Sequence, residues 1–106
     1  MKRLVPCLSA LLLLSACESP GIPEGQGEIR IVNQSTWRIR DVYIKGCSES
    51  SWGPDELTAS IGPNISLGFN VDPGCHDVRT ISEFGGVLEF HDRNVAAGQS
   101  ISIAYP

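Results

Sequence analysis

Ile65, Leu67, Phe69 and Val71 alternate strictly with Ser66, Gly68 and Asn70. A period of two places all four apolar side chains on one face of an extended strand, and no helix accommodates it. The segment is bounded by Gly62-Pro63-Asn64 on one side and Asp72-Pro73-Gly74 on the other. In each, Pro pre-sets φ; Gly or Asn there tolerates the positive φ of a tight turn.

The same punctuation recurs along the chain. Glu28–Val32 reads as a first strand, Asn33-Gln34-Ser35-Thr36 as a turn, and Trp37–Lys45 as a second strand that makes a hairpin with the first. Trp37 and Ile39 share one parity and Val42 and Ile44 the other, so a bulge or bend is expected near Arg40-Asp41. Gly46–Leu57 is irregular, with one helical turn expected over Pro54-Asp55-Glu56-Leu57. Further strands follow over His76–Ser82, where Val78 and Ile81 are out of phase, and over Val87–Phe90 after Gly85-Gly86. A last strand carries Ile101, Ile103 and Tyr105 inward. Eleven Gly and seven Pro, with no amphipathic helix, predict an all-β fold. Its architecture is a small antiparallel two-sheet sandwich of six or seven strands, held by one disulfide.

The first residues read as an address. Met1-Lys2-Arg3 is cationic and Leu4–Leu14 is apolar, a run too short to cross roughly 30 Å of hydrocarbon as a helix. It ends in Leu14-Ser15-Ala16-Cys17, which resembles the lipobox of bacterial lipoproteins. That resemblance implies cleavage after residue 16, a diacylglyceryl group on the Cys17 sulfur and an acyl chain such as palmitate on its amine. Several acyl chains hold a protein to a membrane stably. Glu18, rather than Asp, follows the Cys, so the resemblance favours the outer membrane, facing the periplasm, over the inner membrane. Residues 17–27 form the lipidated tether, in which the Pro- and Gly-rich stretch Ser19–Gly27 would span roughly 30 Å if fully extended. The folded domain is expected over residues 28–106.

Removing Lys2 and Arg3 with the signal takes the formal charge from −4 to −6, which excludes binding by phosphate neutralisation and hence a nucleic-acid partner. Of four Cys, Cys7 leaves with the signal and Cys17 would be a thioether. Cys47 and Cys75 remain, and an exported chain makes a disulfide their default, with free thiols or a metal pair as the alternative. Closing a loop of about 29 residues stabilises by roughly 3.6 kcal/mol in the chain-entropy account.

A second resemblance rests on short motifs. Val32-Asn33-x-Ser35, Asp41-Val42-Tyr43-Ile44, Trp52-Gly53-Pro54-Asp55-x-Leu57, Ile61-Gly62-Pro63 and Gly74-x-x-Asp77-Val78-Arg79 are similar to a family of small uncharacterised secreted bacterial domains. They cover about half the mature chain and imply a β fold and no activity. The chain departs from the family at Cys75-His76, where an aromatic would precede the Asp.

No motif for a nucleophile, a zinc protease, a phosphate loop or a calcium loop is present, so no catalytic residue and no cofactor is expected. Two His-Asp dipeptides, His76-Asp77 and His91-Asp92, are candidate zinc or copper ligands if sheet pairing joins them. Against this, neighbours on a strand point to opposite faces, so each dipeptide would offer one group. Trp52, Asp55 and Glu56 form a candidate partner-binding loop; the alternative is that Trp52 covers the open end of the sandwich while Asp55 caps the following turn. Asp77 and Arg79 share a strand face and are expected to pair with each other. Asn33-Gln34-Ser35 and Asn64-Ile65-Ser66 match a glycosylation pattern but read as turns. Together these features predict a non-enzymatic, lipid-anchored envelope module that contacts an envelope protein, with a small-ligand or metal-binding periplasmic module as the alternative.

Overall fold

The computed structural model describes residues 21–106; Cys7, Cys17 and the signal lie outside the described residues. Six strands form: β1 (Gly27–Asn33), β2 (Ile39–Gly46), β3 (Ser66–Val71), β4 (Gly74–Ser82), β5 (Val87–Val95) and β6 (Ser100–Tyr105). They make two three-stranded sheets, β3-β1-β6 and β2-β4-β5. Ile29, Ile31, Val71, Ile103 and Tyr105 from the first sheet pack against Ile39, Val42, Val78 and Val95 from the second, with Ile61 between. This is the expected all-β sandwich, to which the edge strands β3 and β5 contribute one buried residue each, Val71 and Val95.

The pairing differs from expectation in two places. β1 and β2 are not a hairpin: β1 is the central strand of its sheet, antiparallel to β3 and parallel to β6, while β2 pairs with β4. Both edges of β1 are therefore occupied, and the chain from Asn33 to Ile39 crosses between sheets. The parallel β1–β6 pair is the one departure from an antiparallel arrangement among the described strands. The crossing is built by Asn33, which is fully buried. Its Nδ2 donates to Trp37 O and Ile61 O, both at 2.9 Å, and its Oδ1 accepts from Ser35 N at 3.0 Å and Ser35 Oγ at 2.7 Å. Three of these four bonds go to backbone groups at the crossing and the fourth to the Ser35 hydroxyl.

Other elements shift locally. Trp37 stands outside β2, 45% exposed, and packs edge-on against Phe84 with centroids 5.7 Å apart. The bulge near Arg40 is present as a register shift between Ile39 and Asp41. No helical turn forms at Pro54–Leu57. Instead Glu56 N donates to Val42 O at 2.7 Å, so the segment runs along the outer edge of β2 and covers it. β3 starts one residue late and buries Val71 but leaves Ile65 and Leu67 largely exposed, because it is an edge strand. β5 continues past Phe90 through His91-Asp92-Arg93-Asn94 to Val95, since a solvent-facing edge strand needs no alternation.

The end of the expected tether is attached to the domain through Gln26. Ile22 is buried, and Gly98 N donates to Gln26 O at 2.7 Å. At Gly27 a side chain would meet the Val95 side chain and the Ala96 carbonyl, so only glycine lets β1 enter beside the end of β5.

Candidate functional site

Two surfaces carry chemistry. The first lies on the outer face of the β2-β4-β5 sheet. Between His76↔Arg93 and Val78↔Phe90 the β4–β5 register slips, so Asp77 alone opposes both His91 and Asp92. Asp92 takes the left-handed backbone conformation, with φ of 60°. This bulge breaks the alternation that would separate neighbouring groups. Asp77 Oδ1 accepts from Asp92 N at 3.0 Å and lies 3.4 Å from His91 Nδ1. Asp77 Oδ2 accepts from Lys45 Nζ at 2.9 Å.

The network continues outward. His91 Nε2 is 3.0 Å from Glu89 Oε1, and Glu89 Oε2 accepts from the Arg79 guanidinium at 2.7 Å. Asp77 therefore pairs with Lys45 and Arg79 with Glu89; the expected Asp77–Arg79 pair is absent among the described contacts, because cross-strand partners lie nearer than i+2 neighbours. The Asp92 N–H, then the Lys45 ammonium, outweigh burial and hold the Asp77 carboxyl down to about 2. Arg79 chiefly holds Glu89 below its ordinary range.

Trp52 lies over this network rather than over the open end of the sandwich. Its ring sits 4.6 Å from the Arg79 guanidinium carbon and 5.1 Å from Lys45 Nζ, in reach of both for cation–π attraction. Asp55 is occupied structurally: its Oδ1 accepts from Val42 N and Leu57 N, each at 3.0 Å. Burial pushes the Asp55 carboxyl up, but those two N–H groups prevail and hold it below its ordinary value. The Glu56 side chain is exposed. Cys47 and Cys75 form the disulfide, with Cα atoms 5.4 Å apart, beside the bulge. His76 takes no part in the network; its Nε2 contacts Asp72 O at 2.7 Å. Among the described residues, the three metal-type donors that come within 4.8 Å of one another are on Cys47, Cys75 and Asp92. The two His-Asp dipeptides thus meet through Asp77, His91 and Asp92 but not through His76.

The second surface is apolar. Trp37, Phe84, Val87, Leu88 and Tyr105, with Ser82 and Gly86, line an open groove of about 400 Å³. Phe84, at the β4–β5 turn, is 76% exposed, and Val87 54%. Ser82 Oγ accepts from Phe84 N at 3.3 Å and Gly86 N at 3.1 Å, which fixes the turn that presents Phe84. Sequence reasoning missed this groove. The signal was Phe84-Gly85-Gly86-Val87-Leu88, an aromatic at a hairpin tip followed by two adjacent apolar residues, one of which must face outward.

The groove and Gly27 lie at opposite ends of the sandwich. Asn33 pairs with Tyr105 at the groove end, while Gly27 pairs with Val71 and abuts Val95 at the other.

No family model matches the chain, and no curated protein matches it by sequence. A solved structure described as the NMR structure of the protein from Eubacterium rectale is similar in fold, with a TM-score of 0.55 at 17% identity. The match covers 77% of this chain and 80% of that one, so the likeness spans the sandwich and concerns its fold alone.

Proposed function

We propose that this chain is a lipid-anchored envelope protein that acts as a non-enzymatic interaction module. Cys17 carries the lipid, and the outer membrane, on its periplasmic side, is the favoured location. The observation that supports this reading most is polarity along the sandwich. β1, the first strand after Cys17 in the sequence, begins at the Gly27 end, and the exposed aromatic groove stands at the other. Residues 17–26, between the lipid and the start of β1, span at most roughly 36 Å. Such a link would hold the Gly27 end near the bilayer and turn Phe84 and Trp37 away from it. Exposed aromatic clusters of this kind are favoured at protein contacts.

Replacing Cys17 by Ser tests the anchor. The substituted protein is expected in the soluble envelope fraction, because no sulfur remains to take the diacylglyceryl group. Recovery in the membrane pellet after a high-salt wash would overturn the reading.

A further inference from the structure

We propose that reduction of the Cys47–Cys75 disulfide converts the staple into a site for one thiophilic divalent cation of the zinc class, held by Cys47 Sγ, Cys75 Sγ and an Asp92 carboxylate oxygen. This inference is independent of the anchoring proposal.

The donor atoms of these three residues already lie within 4.8 Å of one another. Tetrahedral zinc with bonds of about 2.3 Å to sulfur and 2.0 Å to oxygen requires donor separations of about 3.8 Å (S to S) and 3.5 Å (S to O). Cys75 Sγ stands 3.8 Å from Asp92 Oδ1, within a few tenths of an ångström of that requirement. The two sulfurs need only part by side-chain rotation, because their Cα atoms, 5.4 Å apart, sit on paired backbone. Cys47 N donates to Cys75 O at 3.1 Å, a bond that does not depend on the disulfide.

The position of Asp92 has a second, independent support. Its φ of 60° is costly for a residue with a Cβ, and the Asp77 carboxylate holds it there by accepting its N–H at 3.0 Å. The bulge thereby turns Asp92 toward the sulfurs. Asp77 Oδ1 lies 3.5 Å from Cys47 Sγ, but its oxygens are engaged by Asp92 N and Lys45, so Asp77 is a positioning residue. Because Asp92 is exposed, the fourth coordination position faces solvent and takes water.

The chemistry balances with a dithiol as reductant. Two electrons and two protons pass from the dithiol, which leaves as its own disulfide; the S–S bond breaks and each sulfur becomes a thiol. The cation then displaces both thiol protons to solvent as two metal–thiolate bonds form. A reduced chain is thus held in its folded form before an oxidant reaches it.

The test uses the purified protein, oxidised or reduced by a phosphine, titrated with Co²⁺ and then Zn²⁺. The phosphine takes oxygen from water, whose two protons go to the sulfurs. The oxidised protein is expected to bind neither ion. The reduced protein should take up one Co²⁺ with a thiolate-to-cobalt charge-transfer band, and lose the band on addition of Zn²⁺. Asp92→Asn should weaken binding at least about tenfold; Asn tolerates the left-handed conformation, so the bulge survives. Equal uptake by the oxidised protein, no uptake by the reduced protein, or unchanged affinity in Asp92→Asn would each overturn the proposal. If reduction unfolds the chain, Zn²⁺ should restore the β-sheet circular dichroism, and failure to do so overturns it as well.

Discussion

The Asp77 carboxylate accepts the backbone N–H of Asp92 at 3.0 Å, and Asp92 is thereby held in a left-handed conformation in the middle of β5. One buried charge on β4 thus shapes the backbone of its neighbour. Lys45 from β2 completes the arrangement, so a single carboxylate ties together all three strands of the second sheet.

The pH dependence of stability follows from that carboxylate. Its folded value is lowered from 3.8 to about 2, so the folded state binds fewer protons than the unfolded state between those values. Its contribution is full above the ordinary value, falls as pH drops through 3.8 toward 2, and is gone below both. Urea midpoints of the wild type and Asp77→Asn, measured from neutral to strongly acid pH, should converge at the acid end. A gap that stays constant over this range would contradict the account.

Asn33→Ala should destabilise the domain by about 2 to 4 kcal/mol, since it strands buried carbonyl and hydroxyl partners as well as deleting their bonds. Denaturant unfolding measures this directly. A loss under about 1 kcal/mol would mean that water replaces the side chain at the crossing.

Replacing both Cys47 and Cys75 by Ser should cost about 2 to 5 kcal/mol, the usual loss when a small domain is deprived of its disulfide. Hydrogen exchange should show the segment from Cys47 to Leu57 opening first, since it lies outside the strands. Two alkylatable thiols at these positions in protein taken from an oxidising envelope would argue against the native bridge.

Phe84→Ser should leave stability within about 0.5 kcal/mol of the wild type, because the ring is 76% exposed. Under the interaction reading, a photo-crosslinking residue at position 84 should give a discrete adduct in intact envelopes, and one at the exposed Glu24 should not. Equal labelling from both positions would count against the groove.

Asp55→Ala should release the cover of β2, at a cost of about 1 to 2 kcal/mol, comparable to loss of a helix cap. Val42 N–H should then exchange faster, because its partner at 3.0 Å is gone. Unchanged protection at Val42 would show that the Glu56–Val42 bond holds the edge alone.

What the sequence by itself determined is local. The alternation of Ile65 to Val71, the Asp72-Pro73-Gly74 turn and the inward set Ile101, Ile103 and Tyr105 locate strands, because side-chain parity needs only neighbouring residues. The parity break at Arg40-Asp41 marked a bulge for the same reason. The sulfur pair was legible by elimination, once the lipobox reading sets Cys7 and Cys17 aside. Tertiary structure alone decided which strands meet. Glu28–Val32 and Trp37–Lys45 look like a hairpin because they are consecutive, yet β1 is claimed on both edges by strands more than thirty residues away. The Asp92 bulge was hidden likewise: nothing near His91-Asp92 in the chain indicates that Asp77 will face both residues and bend the backbone between them. Parity is a property of one strand, whereas pairing depends on which distant apolar faces can close over a common core, and the groove at Phe84 is where that closure stops.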